Sequence, residues 1–206
     1  INEKIDNKLG MGYSLRYIAN ISYRKMEFSK AMNYYNRSLK IFEEIDDKLG
    51  ISKCYNGIGG IFRRKGNYDK ALENYIIAYE IKKELDLFIT LGQQLGIQGI
   101  MCTHIGEYDK ALIYLNKSLE IHNKTNTQYG VASTLLYIGI INTMQDNYSI
   151  ALESLEKSLA IQNELEFKYG LLQTTSYIYL INKKLNKKYN NEIVINLYRE
   201  NPSKIE

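Results

Sequence analysis

The segment Gly66-Asn67-Tyr68-Asp69-Lys70-Ala71-Leu72 returns further along the chain as Gly106-Glu107-Tyr108-Asp109-Lys110-Ala111-Leu112. Looser copies flank the pair, Phe28-Ser29-Lys30-Ala31-Met32 before it and Tyr148-Ser149-Ile150-Ala151-Leu152 after it. Ala31, Ala71, Ala111 and Ala151 thus mark one position of a 40-residue period. A fixed period of this length is the mark of a stacked repeat, in which each unit buries its apolar face only against its neighbours. A chain built this way grows by addition and needs no single globular core, so 206 residues do not have to be divided into conventional domains.

The local pattern within one period is helical. Ile51, Cys54, Tyr55, Ile58, Gly59 and Phe62 recur at i, i+3, i+4, i+7, i+8 and i+11, which places them on one face of a helix. Tyr68, Ala71, Leu72, Tyr75, Ala78 and Tyr79 form a second such face. Gly66 supplies a left-handed stop between the two and Asn67 a cap for the second, while Asp46 or Asp47 caps the first. Each period therefore reads as a helical hairpin with helices of about 17 residues, roughly 25 Å long. The hairpins are expected at about 9–46, 48–86, 88–126 and 128–166, followed by a degenerate capping repeat at about 167–200. The whole of 1–206 is thus expected to be one all-α solenoid.

Small residues hold fixed places in these hairpins. Ala19, Gly59, Gly99 and Gly139 share one position of the first helix, and Ser38, Ala78, Ser118 and Ser158 one of the second. They let neighbouring helices approach closely, whereas a large side chain there costs about 1–3 kcal/mol. Leu39, Tyr79, Leu119 and Leu159, with Ile41, Ile81, Ile121 and Ile161, supply an apolar seam. Beyond residue 166 the small position becomes Tyr179, and Ile193, Val194, Leu197 and Tyr198 offer one last apolar face. Ile1–Gly10 aligns with Ile41–Gly50, so the chain is expected to open inside the last turns of a helix and to be a fragment of a longer protein.

These residues carry a resemblance. The hairpin, the small residue in the first helix, the Gly-Asn-Tyr turn, the alanine opening the second helix and the small residue seven later resemble the tetratricopeptide repeat. The common unit is shorter, about 34 residues, and carries a proline after the second helix. The longer period here lacks that proline and is similar to the variant of Leu-Gly-Asn-repeat adaptors and bacterial signalling proteins. The resemblance implies a right-handed superhelix whose concave groove, lined by the first helix of each hairpin, binds a peptide or helix of a partner protein. Carried across position by position, the groove falls on Tyr13, Arg16, Tyr17, Asn20, Tyr23 and Arg24 in the first hairpin. The second contributes Lys53, Asn56, Arg63 and Arg64, and the third Ile97, Ile100 and His104. Leu136, Tyr137, Ile140 and Met144 follow in the fourth. Residues on the helix face opposite an apolar stripe are where surface chemistry is expected in any case.

The first half of that surface is basic and aromatic and the second half apolar, which suits a protein segment that is acidic in part and carries apolar anchors. A clamp for a chaperone's terminal carboxylate would use Arg16 and Asn20, but Gly57, Gln93 and Ile97 stand where its other polar groups are required. Chemistry is absent from the pattern. Cys102 and His104 are two residues apart and point about 200° from each other on a helix. No pair of histidines has metal-ligand spacing, no glycine-rich loop follows a strand, and no serine sits in a nucleophile elbow. The expectation is a non-enzymatic scaffold with no cofactor and no metal, or a peptide-sensing or regulatory module of a larger bacterial transcription regulator or histidine kinase.

Composition narrows the partners further. The net charge of +4 is spread among acidic residues, with no basic arm for nucleic acid. No apolar run has the length of about 18 residues that a membrane span needs. Two cysteines, Cys54 and Cys102, make no disulfide framework and suggest a reducing, cytoplasmic setting. Self-association through the apolar ends of the solenoid remains an expectation beside these.

Overall fold

A computed structural model describes residues 2–166 and 168–187, together with 192, 195, 196 and 199. Among them the chain is helical and forms an all-α repeat solenoid. Two compact units divide at Glu107 and Tyr108. The first holds α1 (Asn2–Arg24), α2 (Phe28–Glu44), α3 (Lys48–Arg64), α4 (Tyr68–Glu84) and α5 (Phe88–Ile105). The second holds α6 (Tyr108–Lys124), α7 (Gln128–Met144), α8 (Tyr148–Glu164) and α9 (Lys168–Lys184). Ile193, Val194, Leu197 and Tyr198, expected to bury a final face, lie outside the described residues.

The turns repeat twice as often as the sequence motif does. Met26, Asp46, Gly66, Asp86, Gly106, Asn126, Asp146, Glu166 and Asn186 all have positive φ, one at every half-period. At each such residue the chain reverses with one bond pattern. The amide after the left-handed residue donates to the carbonyl five residues back, as in Asp47 to Phe42 (2.9 Å), Asn67 to Phe62 (2.9 Å) and Thr127 to His122 (2.9 Å). That geometry closes a helix C-terminus by using carbonyls that would otherwise lack partners. Asp47 and Asn67 then cap the following helices, accepting from the amides of Gly50 (3.0 Å) and Lys70 (3.2 Å). Of the two aspartates expected as caps, Asp47 takes that role and Asp46 takes the left-handed turn.

One element departs from the repeat. The stretch equivalent to a turn at Ile5–Asn7 is expected to separate two helices, yet α1 runs unbroken from Asn2 to Arg24. Asn2–Lys8 contains neither glycine nor proline, so nothing in the local sequence forces a stop.

The repeat positions explain the packing in each unit. Ala31, Ala71, Ala111 and Ala151 are fully buried, and so are Ser38, Ala78, Ser118 and Ser158. In the first unit Ala19, Ala31, Tyr35, Ile58 and Ile61 form one core cluster. In the second, Leu136, Ile140, Ala151 and Leu155 join Ile178 and Ile181 of α9. Glycine is required where helices meet: a Cβ on Gly139 would stand 2.5 Å from the Leu155 side chain, and one on Gly59 would stand 3.0 Å from the Tyr75 ring. The position of Ile61, Met101, Ile141 and Ile181 is fully buried in each, whereas its first copy, Ile21, is 41% exposed. With Met11 and Ile18 it gives α1 an exposed apolar side.

Candidate functional site

A cavity of about 470 Å³ opens in the first unit where α1, α3 and α5 face α2 and α4. On α3, Asn56, Gly60 and Arg63 sit at i, i+4 and i+7 and so share the face turned to it. Asn20, Tyr23 and Arg24 come from α1, and Gln93, Gln94 and Ile97 from α5. The second helices supply Tyr35, Tyr75 and Lys82. Glycines make the room. A Cβ on Gly57 would collide with the Tyr35 ring, while one on Gly60 would make ordinary contact with Tyr23, 3.5 Å from its hydroxyl.

The lining is polar and cationic. Tyr35 donates its hydroxyl to Asn20 Oδ1 and, being buried, has its pKa pushed up to about 12. Burial also raises Tyr75, so both phenols are neutral hydrogen-bonding groups at ordinary pH. Burial by itself would lower the Arg63 pKa, but the neighbouring Tyr75 and Tyr23 hydroxyls outweigh it and raise it. Lys82 is only 9% exposed, with its Nζ 3.2 Å from Gln94 Oε1. Gln94 and Gln98 both donate to the Tyr75 carbonyl, at 3.2 and 3.3 Å. Burial, and then the charge of Lys53, lower the Lys82 pKa. Asn56 Oδ1 is buried without a hydrogen-bond partner among the described residues. None of the lining residues is acidic.

Beside the cavity, Arg16 and Lys53 each stand 5.5 Å from the centre of the Tyr13 ring, a cation–π arrangement. The Tyr13 hydroxyl donates to Asp47 Oδ2 at 3.0 Å. Tyr17 is 65% exposed, Arg64 is exposed and Ile100 is half-buried. His104 stacks on Tyr68 with centroids 4.5 Å apart, and burial followed by the charge of Arg63 lowers its pKa. Cys102 is fully buried while His104 is exposed, so the two side chains lie apart, as their spacing requires.

In the second unit, the surface expected of α7 is largely covered. Leu136 and Ile140 are only 4% and 3% exposed and pack with Ile178 and Ile181 of α9. They are core residues and offer no apolar anchor to a ligand. The cause is the next hairpin: its first helix packs on the side of α7 that the sequence pattern left free. Tyr137 packs half-buried against the same cluster, and Met144 is 51% exposed.

Lys82, Gln94, Tyr35 and Tyr75 are missing from the groove positions expected on the first helices alone. A signal for Lys82 was present, since Phe42, Lys82, His122 and Gln162 occupy one position of the period and all are buried. A lysine in a column that opens with phenylalanine is out of keeping with a plain core position.

Among the described residues no group of three or more His, Cys, Asp or Glu could hold a metal ion, and no helix is long and apolar enough to cross a membrane. The sequence pattern of the tetratricopeptide repeat matches residues 11–84 and 95–164. The chain belongs to the tetratricopeptide repeat family. This tetratricopeptide-repeat chain has no match among curated proteins. In fold it is similar to the apo form of RapI, with a TM-score of 0.84 and 22% identity over 95% of this chain and 70% of that one. It is also similar to aspartyl phosphate phosphatase F from Bacillus subtilis, with a TM-score of 0.84 and 15% identity over 96% of this chain and 51% of that one. A Rap protein complexed with competence and sporulation factor has a TM-score of 0.76 and 18% identity over 97% of this chain and 54% of its own. The chain thus spans about half the length of the latter two.

Proposed function

We propose that this chain is a non-catalytic protein-interaction scaffold that binds a peptide or helix of a partner on the face formed by α1, α3 and α5. The cavity of about 470 Å³ carries this reading, because successive first helices converge on it with amides, phenols and cations. Its size falls in the range of ligand pockets, roughly 300–1,000 Å³, and its polar groups suit a peptide backbone. Ile97 at the cavity and Ile100 nearby offer apolar contact to an occupant. Membership of the tetratricopeptide repeat family and the likeness to a Rap protein complexed with competence and sporulation factor support it. Two buried cysteines, neither of them in a disulfide, support a cytoplasmic setting.

A photoreactive residue at the exposed Gln93 should cross-link a partner in cells. Gly60→Leu fills the cavity from a position with room for a Cβ, and it should abolish that cross-link without loss of helical signal. An undiminished cross-link in the Gly60→Leu variant would refute the reading. The likeness to RapI and its relatives also supports a second reading, in which the same site makes the chain the sensing module of a larger bacterial signalling protein. Under that reading, occupancy should alter the output of the intact parent protein, and Gly60→Leu should leave the output fixed.

A further inference from the structure

We propose that Lys82 and Arg63 form an anion subsite that takes the side-chain carboxylate of an Asp or Glu in the bound segment; this rests on the scaffold reading above. The Lys82 ammonium has three donors, and among the described residues its one hydrogen bond runs to the neutral Gln94 oxygen. A buried cation normally has a counter-charge, because removing it from water without one is costly. Here the cavity supplies none: its other charged groups are Arg63 and Arg24, and both are cations. Arg63 stands at the same opening beside phenols, which accept hydrogen bonds but carry no charge at neutral pH.

Lys82 is buried at this cavity while Arg63 and Arg24 are exposed at its edge, and the three cations give it a positive potential that favours an incoming anion. A carboxylate is the anion favoured over a free ion, because a lone phosphate would fill a small part of about 470 Å³. The unpartnered Asn56 oxygen is suited to accept from an amide of the same chain segment. Lys82 comes from α4, so this subsite differs from one built on the first helices alone.

The test uses fluorescein-labelled hexaglutamate and hexaglutamine peptides, amidated at the C-terminus so that only side chains carry charge. The wild-type chain should bind hexaglutamate at least tenfold more tightly by fluorescence anisotropy. Lys82→Met and Arg63→Gln should each remove most of that preference, while Arg37→Gln, a cation of α2 outside the cavity, should leave it unchanged. Lys82→Met keeps the length and packing of the buried side chain, and circular dichroism confirms its fold. Equal binding of the two peptides, no binding of either, or full preference in Lys82→Met would overturn the subsite. If inorganic phosphate displaced hexaglutamate at concentrations where acetate did not, the site would be a phosphate site and the carboxylate assignment would fall. A cross-link at Gln93 that Gly60→Leu abolishes, found together with equal peptide binding, would leave the scaffold standing and remove only the subsite.

Discussion

Phe42, Lys82, His122 and Gln162 occupy one buried position of four repeats, and their partners explain how such different side chains fit. Phe42 lies against two glycines: a Cβ on Gly12 would stand 2.7 Å from its ring, and one on Gly50 2.5 Å. The His122 ring fills the space that a Cβ on Gly130 would need. Both rings in this column lie against a glycine eight residues on; Gln162 has one there too, Gly170, whereas the Lys82 repeat has Thr90. Gly130→Ala should cost about 1–3 kcal/mol through overpacking. In a His122→Ala background most of that cost should vanish, and a double-mutant cycle in urea reads the coupling. His122 also makes stability depend on pH. Burial lowers its pKa below the ordinary 6.5, so the unfolded chain binds the proton more readily than the folded one. Its contribution is present above pH 6.5 and is lost as the pH falls below that value towards the folded pKa. The urea midpoint should drop between pH 7.5 and 5.5, and by less in His122→Gln, which installs the residue found in the next repeat.

The turns belong to the scale of the element. One left-handed residue per half-period gives α2 to α9 17 or 18 residues each, although the residue filling the place varies from glycine to methionine. A left-handed backbone costs an L-residue other than Asn or Asp roughly 1–2 kcal/mol, and glycine avoids the cost. Met26 (φ 62°) is therefore a strained choice, and Gly66 (φ 74°) a relaxed one. Met26→Gly should stabilise the chain by about 1 kcal/mol and Gly66→Ala should destabilise it by a similar amount, both measured by urea denaturation. Either result with the opposite sign would mean that side-chain contacts, not backbone strain, set these turns. The two Gly-X-Tyr motifs made Gly66 and Gly106 plain in the sequence. Met26 and Glu166 were not, because their side chains carry no turn preference and the helix-stop bonds are made by the backbone alone.

At the scale of the molecule, the all-α repeat class follows from a period whose buried alanines, serines and glycines do the same work in each copy. The cavity was only partly legible. Asn20, Tyr23, Arg24, Asn56, Arg63 and Ile97 line it from positions expected on the first helices, but Lys82 and Gln94 reach it through packing between neighbouring repeats, which no single-helix face reveals. Leu136 and Ile140 misled for a related reason: periodicity fixes the side a helix shows its own partner, while the helix of the next hairpin covers a second side. This neighbour-only packing has an energetic consequence. In a repeat array, stability is approximately a sum of repeat and nearest-neighbour terms, so a local injury need not spread. Leu155 is fully buried in the cluster that α7, α8 and α9 share, and Leu155→Ala should cost about 2–5 kcal/mol there. Native-state hydrogen exchange should then show faster exchange in α7, α8 and α9, with protection in α1–α4 unchanged. Equal loss of protection in α1–α4 would mean that the two compact units unfold together, and the additive description of this array would have to be abandoned.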